Sequence, residues 1–112
     1  NKLKNEGLYF SNYYAQASSG TSSDSEFTFS SSLFPVTNGS VAVSYWNREY
    51  ESFQKLLKDK GYNTLSFHAN NGEFWNRNNF HKSLGYNTFY SKNSFEVNED
   101  NTIGLGLSDK EY

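Results

Sequence analysis

Cysteine and methionine are both absent from the 112 residues, and proline occurs once, at Pro35. Without cysteine there can be no disulfide and no thiolate metal site, so the redox compartment cannot be read from cysteine pairing. No stretch approaches the eighteen or so apolar residues that a membrane span requires, and the start lacks the pattern of a secretory leader. A basic excess is missing too. Ten Lys and Arg stand against twelve Asp and Glu, a formal net charge of −2 with both histidines neutral. Nucleic-acid readers need a concentrated basic field, so no nucleic-acid partner is expected. A chain that opens on Asn1 instead of methionine leads us to expect a processed or excised segment, with any anchor or export signal outside it.

What is present is aromatic. Ten Phe, nine Tyr and two Trp in so short a chain favour a folded object over a disordered one. Residues 2–6 read as the tail of a helix that Gly7 stops, and Leu8 to Tyr14 as an aromatic strand. Serine then fills eight of the fifteen positions from Ser18 to Ser32. That composition fits a flexible linker, but Asp24, Glu26, Phe27 and Phe29 interrupt it and Gly20 precedes a possible helix start. Pro35 and Asn38-Gly39 mark a turn. A helix capped by Asn47 follows, with Tyr50, Phe53 and Leu57 on one face and Gly61 at its end. Tyr62 to His68 predicts a strand, Asn70-Asn71-Gly72 a loop, Asn79 to Leu84 a short helix stopped by Gly85, and Thr88 to Tyr90 a brief strand. Glu96 to Asp100 reads as a solvated loop.

Strand, helix, strand, helix, strand is the order of an α/β unit with parallel pairing. Ligands in open α/β sheets bind beyond the carboxyl ends of the strands. Residues 17–26 and 68–78 are expected at such ends, and they hold most of the reactive side chains. In the first, Gly20-Thr21-Ser22-Ser23-Asp24-Ser25-Glu26-Phe27 places hydroxyls where a loop enters a helix. Unpaired amides and the helix dipole there stabilise charge developing on a phosphate or sulfate ester. The same segment also suits a plain helix cap by Ser22, Ser23 or Asp24. In the second, the Arg77 fork fits a tetrahedral oxyanion, His68 can donate to it, and Trp75 can wall an organic group. A core Trp75 and a surface Arg77 fit the same string, and His81 reads as a solvated helical residue. Metal motifs are missing: His68 and His81 stand thirteen apart, and Asp24 and Glu26 are expected to point apart.

Taken in order, several strings resemble the sulfatase-like catalytic domain of lipoteichoic acid synthases, in the alkaline phosphatase superfamily. They are Glu6 to Tyr14, Ser22-Ser23-Asp24-Ser25-Glu26-Phe27, Gly61-Tyr62, His68-Ala69-Asn70, Phe74-Trp75-Asn76-Arg77-Asn78 and Gly104 to Lys110. The resemblance implies that residues 1–112 are part of an alkaline-phosphatase-like α/β sandwich, with a mostly parallel sheet and flanking helices. It also implies a nucleophilic hydroxyl bound to Mn²⁺ or another divalent metal, which takes glycerol phosphate from phosphatidylglycerol and passes it to a growing polymer. The register of Asp24-Ser25-Glu26-Phe27 puts Ser22 at the nucleophile position, with Thr21 one residue earlier. Family contacts to phosphate and glycerol fall on His68, Asn70, Trp75 and Arg77, and Asn70 stands where synthases usually carry an aspartate. The other metal ligands of the family fall outside the chain, so only the Ser22 or Thr21 hydroxyl is available here.

The implied parent acts on a lipid-linked or small phosphate or sulfate ester, at the outer face of a Gram-positive cell membrane. Its contact with that membrane runs through segments outside this chain. The chain alone is expected to be inactive and to self-associate. A sulfatase or phosphodiesterase of the same superfamily, or a non-catalytic module binding phosphate-bearing polymers, are the other readings the residues allow.

Overall fold

The computed structural model describes residues 2–14 and 17–110. Helix α1 (Lys2–Glu6) ends where expected, with the Gly7 N–H donating to the Leu3 carbonyl at 3.0 Å. The strand expected over Leu8 to Tyr14 does not form. The segment turns at Ser11-Asn12 and leaves Leu8, Phe10 and Tyr13 exposed. The turn breaks the extended run that ladder pairing needs, and the segment joins neither sheet among the described residues.

The serine-rich stretch is a helix, α2 (Ser22–Ser31), not a linker. Its buried residues are Ser23, Asp24, Phe27 and Ser30, a spacing that keeps them on one face. Serine is a modest helix former, so packing of this face accounts for the helix better than propensity does. Short α3 (Val41–Ser44) lies against α2 and supplies Val41 and Ala42 to the core.

Asn47 does not cap the next helix. Helix α4 (Phe53–Asp59) starts after Ser52, whose hydroxyl accepts from the Lys55 N–H at 3.3 Å and donates to the Leu84 carbonyl at 2.5 Å. Tyr50 stays outside the helix and packs edge-on against Phe27, with ring centroids 5.1 Å apart. The buried residue of α4 is Gln54, not an apolar one; its amide nitrogen donates to Ser30 Oγ and to the Tyr86 hydroxyl.

Strand β1 (Leu65–Phe67), helix α5 (Arg77–Ser83) and strand β2 (Thr88–Tyr90) form the expected parallel crossover. Leu65 lies opposite Thr88, Ser66 opposite Phe89 and Phe67 opposite Tyr90. The His68 N–H donates to the Tyr90 carbonyl at 2.8 Å, which carries the pairing one residue past β1 and sets His68 at its carboxyl end. A small antiparallel hairpin, β3 (Thr102–Ile103) and β4 (Gly106–Leu107), closes the described chain. Glu96 to Asp100 is an exposed turn, as its composition predicts.

The core is small: Phe27, Val41, Ala42, Phe80 and Leu84, with Val36, Tyr50 and Tyr86 packed on it. Much apolar surface stays outside it; Phe29, for instance, is 76% exposed and Phe34 81%. The radius of gyration is 16.0 Å, against about 13 Å for a compact domain of this length. No helix among the described residues is long and apolar enough to cross a membrane.

Candidate active site

The turn before α2 is built around one carboxylate. Asp24 is fully buried, and its Oδ2 accepts from the N–H groups of Ser18 at 3.1 Å and Gly20 at 2.8 Å. Gly20 fits because it has no side chain: a Cβ there would lie 2.3 Å from Asp24 Oδ1 and 2.8 Å from Ser40 Cβ. The turn pushes Thr21 to φ 45° and ψ −111°, a conformation that a β-branched residue adopts only under constraint. Residues 17–26 are thus a tight turn and the first turn of α2, not a loop following a paired strand.

Three adjacent hydroxyls are sorted by this geometry. Ser23 is buried; its Oγ donates to the Gly20 carbonyl at 2.8 Å and shares a 2.9 Å hydrogen bond with Ser40 Oγ. It is a structural group. Thr21 and Ser22 are both exposed. Ser22 opens α2, and Glu26 stands four residues later on the same face of that helix.

The second loop, residues 68–78, follows the carboxyl end of β1. Its sharpest feature is a kink at Trp75 (φ 56°) and Asn76 (φ 51°) ahead of α5. Asn76 holds the kink by donating through Nδ2 to the Ala42 carbonyl at 3.0 Å and accepting from Asn79 Nδ2 at 2.7 Å. Trp75 is half-buried, with its ring edge-on to Phe74. Asn70 Oδ1 accepts from the Asn71 N–H at 2.7 Å, a bond within its own loop. Of the four non-glycine residues with positive φ among the described residues, three (Thr21, Trp75 and Asn76) lie in these two segments; the fourth, Ser32, ends α2. Backbone strain of this kind clusters at functional sites.

Between the two segments runs a network that the sequence did not reveal. Arg77, 4% exposed, donates through Nε to Glu26 Oε1 and Oε2 at 3.1 and 3.2 Å and through Nη2 to Oε1 at 2.5 Å. Its Nη1 donates to the Phe74 carbonyl at 3.0 Å. His81 Nε2 lies 3.3 Å from Glu26 Oε2, and His81 Nδ1 lies 2.9 Å from Ser66 Oγ. His81 is therefore a buried, doubly bonded residue at 6% exposure, and the reading of it as a solvated histidine is corrected. Arg77 and His81 are four apart on α5, so they share a face. That spacing was the available signal. A cavity of about 170 Å³ opens beside the network, lined among others by Glu26, His68, Arg77 and His81.

Electrostatics follow from these contacts. Partial burial pushes the Glu26 carboxyl up, but hydrogen bonds and positive charge from His81 and Arg77 outweigh it and hold the pKa below its ordinary value. Burial holds the His68 pKa below the usual histidine range; the Arg77 and His81 charges add to this and Glu26 opposes it. His68 is thereby kept neutral, and its buried Nε2 has no hydrogen-bond partner. Among the described residues no cluster of three or more His, Asp or Glu could hold a metal ion. The donors of the described residues alone do not make a metal site.

The structure thus brings Arg77, His68 and Glu26 around one cavity and puts Ser22 one helical turn from Glu26. Trp75 and Asn70 sit in the adjoining loop. The sequence model of the sulfatase family matches residues 1–111. The chain is 39% identical to lipoteichoic acid synthase 2 of Bacillus subtilis and 39% identical to the lipoteichoic acid synthase of Staphylococcus saprophyticus. Each alignment covers all of this chain and 18% of the relative, so the chain spans under a fifth of the length of these proteins. Among solved structures, it resembles the lipoteichoic acid synthase LtaP from Listeria monocytogenes, with a TM-score of 0.85 at 29% identity over 97% of this chain and 26% of that one. An alkaline phosphatase superfamily protein from Vibrio parahaemolyticus shares the fold, with a TM-score of 0.69 at 19% identity over 87% of this chain and 23% of that one.

Proposed function

Because the chain belongs to the sulfatase family, with the α/β fold of the alkaline phosphatase superfamily, we propose that residues 1–112 are part of the catalytic domain of a lipoteichoic acid synthase-like phosphotransferase. In this reading the parent enzyme takes glycerol phosphate from phosphatidylglycerol at the outer face of a Gram-positive cell membrane. The carrying observation is the geometry of α2: an exposed Ser22 at its first position, and Glu26 on the same face holding the Arg77 guanidinium. Four residues of helix rise put the two about 6 Å apart along the axis. Thr21, outside the helix and a further step round its axis, does not share that face. Ser22 is therefore the nucleophile of choice.

Its Oγ gives up its proton and forms a bond to phosphorus as the bond from phosphorus to the lipid alcohol breaks and the leaving alcohol oxygen takes up a proton. The acceptor hydroxyl later displaces the serine, losing its proton as the serine regains one. The two Arg77 N–H donors left over from Glu26 and Phe74 bind phosphate oxygens. Neutral His68 offers Nε2 to the same group, and Trp75 packs on the glycerol. The divalent metal implied by the family, Mn²⁺ above all, would take the Ser22 oxygen from this chain and its other ligands from elsewhere. When bound, it supplies charge to polarise the ester and lower the pKa of the serine hydroxyl.

Ser22→Ala and Thr21→Ala, made separately in the protein that carries this chain, test the reading. Ser22→Ala is expected to lower turnover by several decades and to abolish a phospho-adduct seen by mass spectrometry; Thr21→Ala should do neither. Wild-type turnover in both single variants and in the double variant would overturn it. The chain by itself should not hydrolyse a phosphodiester even with Mn²⁺ or Mg²⁺ added, because its described residues hold no metal-ligand cluster. Chelator-sensitive hydrolysis by the purified chain would contradict that. Its exposed apolar surface should also drive self-association, read as concentration-dependent sedimentation.

One observation favours a second reading. Asn70, where synthases usually carry an aspartate, is uncharged and bonded within its own loop. A sulfatase or phosphodiesterase acting on an ester without a free glycerol head group fits that loss, and a substrate panel separates the two.

A further inference from the structure

Arg77 cannot choose its own orientation. A guanidinium has five N–H donors, and here one on Nε and one on Nη2 go to Glu26 while one on Nη1 goes to the Phe74 carbonyl. One donor on Nη1 and one on Nη2 remain. Which edge of the cation faces a ligand is thus decided by the carboxylate on its other side. Burial strengthens the point, since a guanidinium at 4% exposure without a partner charge would be strongly disfavoured. Glu26 is itself fixed. Its Oε2 meets His81 Nε2 at 3.3 Å, and the far nitrogen of that ring meets Ser66 Oγ at 2.9 Å on β1. His81 Nε2–H donates to Glu26, and Nδ1 shares a hydrogen bond with the Ser66 hydroxyl, so each group is satisfied. The ring is further wedged against Tyr86 and Phe89, with centroids 5.2 and 4.9 Å away.

We propose that Glu26 and His81 are positioning residues that aim the Arg77 guanidinium at the group undergoing transfer. Glu26 sets the orientation of the fork and its distance from Ser22, because both stand on α2. His81 ties Glu26 to the sheet, so that α2, α5 and β1 move as one body around the site. The proposal rests on the phosphotransfer reading. It adds two residues to that reading, neither of which touches the ester.

The test is a double-mutant cycle in the protein that carries this chain, with phosphatidylglycerol as substrate and kcat and KM measured separately. Glu26→Gln keeps the shape and loses the charge; it should lower kcat 10- to 100-fold and change KM less than threefold, the size of effect seen when supporting residues around a site are removed. His81→Phe should lower kcat three- to tenfold. Both effects should vanish in an Arg77→Lys background, because a residue that acts only through Arg77 has nothing left to aim. A general loss of packing would instead multiply with Arg77→Lys. Retention of wild-type kcat by Glu26→Gln, or full additivity in the cycle, would overturn the proposal. If Glu26→Gln loses its melting transition, the His81→Phe arm decides alone. If Arg77→Lys and Ser22→Ala both keep wild-type turnover, the phosphotransfer reading fails; if they lose it while Glu26→Gln does not, only the positioning role fails.

Discussion

The two segments that flank the candidate site are fastened in opposite ways. The turn before α2 depends on one buried carboxylate, Asp24, which gathers the Ser18 and Gly20 amides while its other oxygen has no partner. Apart from the Arg77 ion pair with Glu26, the loop of residues 68–78 depends on many neutral bonds, among them Asn76 to Ala42, Asn79 to Asn76, and the Asn78 amide to the Gly72 carbonyl at 2.9 Å. The first arrangement concentrates the cost of failure in one residue; the second spreads it. In the proposed reading, Ser22 follows the strained Thr21 backbone, which this anchor holds in a single state. A pocket wall need only keep its shape.

If that contrast is right, Asp24→Ala is the most damaging single change near the site. It removes two charge-assisted hydrogen bonds and leaves two amides unpaired, for a loss of about 3–5 kcal/mol. Chemical denaturation of the protein that carries this chain should show it as a lowered midpoint. Gly20→Ala comes next. The new Cβ collides with Asp24 and Ser40, and about 2 kcal/mol of strain is expected from the same measurement. On the other loop, Asn76→Ala keeps a left-handed backbone while losing two amide contacts, and about 1 kcal/mol should be lost. An Asn76→Ala variant less stable than Asp24→Ala would reverse the comparison.

The gentlest perturbation is acid. Glu26 has a folded-state pKa below its ordinary 4.5, so its contribution is complete above that value and is lost as pH falls through the lower folded value. His68 has a pKa below the ordinary 6.5. The folded chain holds it neutral while the unfolded chain takes up a proton, so stability again falls with pH. The melting temperature should therefore decline as pH falls below 6.5 and decline further below 4.5, and Glu26→Gln should flatten only that second, more acid part of the curve. A melting temperature that rises on acidification contradicts both assignments.

The parallel crossover was legible because its signals are local. Thr88 to Tyr90 is a strand within the bounds its pattern predicts, and Gly85 ends α5 at φ 91°. The hydroxyls at Thr21 and Ser22 and the cluster of His68, Asn70, Trp75 and Arg77 were visible as strings. What could not be seen are contacts made across the chain. Glu26 and Arg77 are 51 residues apart, Gln54 is buried only because Ser30 and Tyr86 receive its amide, and Ser52 displaces Asn47 as a cap because Leu84 offers it a carbonyl. Leu8 to Tyr14 failed for the converse reason. Its aromatic pattern suits a strand, but the segment turns at Ser11-Asn12 and joins neither sheet among the described residues.

The β3–β4 hairpin has a consequence for how this site can diversify. The Leu107 N–H bonds the Ala69 carbonyl at 2.9 Å, and Gly106 sits so close that a Cβ would lie 2.7 Å from that oxygen. On the other side, the Lys92 N–H bonds the Asn70 carbonyl at 3.0 Å. Both ends of the exposed turn around Glu96 to Asp100 are thus moored to the two residues that follow His68. Insertions in that turn leave the moorings in place, whereas a single residue added between Ala69 and Arg77 would break the frame. Changes in chain length are accordingly confined to a segment whose two ends are tied to the loop after His68, so a longer turn can grow there while the residues that carry its moorings stay fixed.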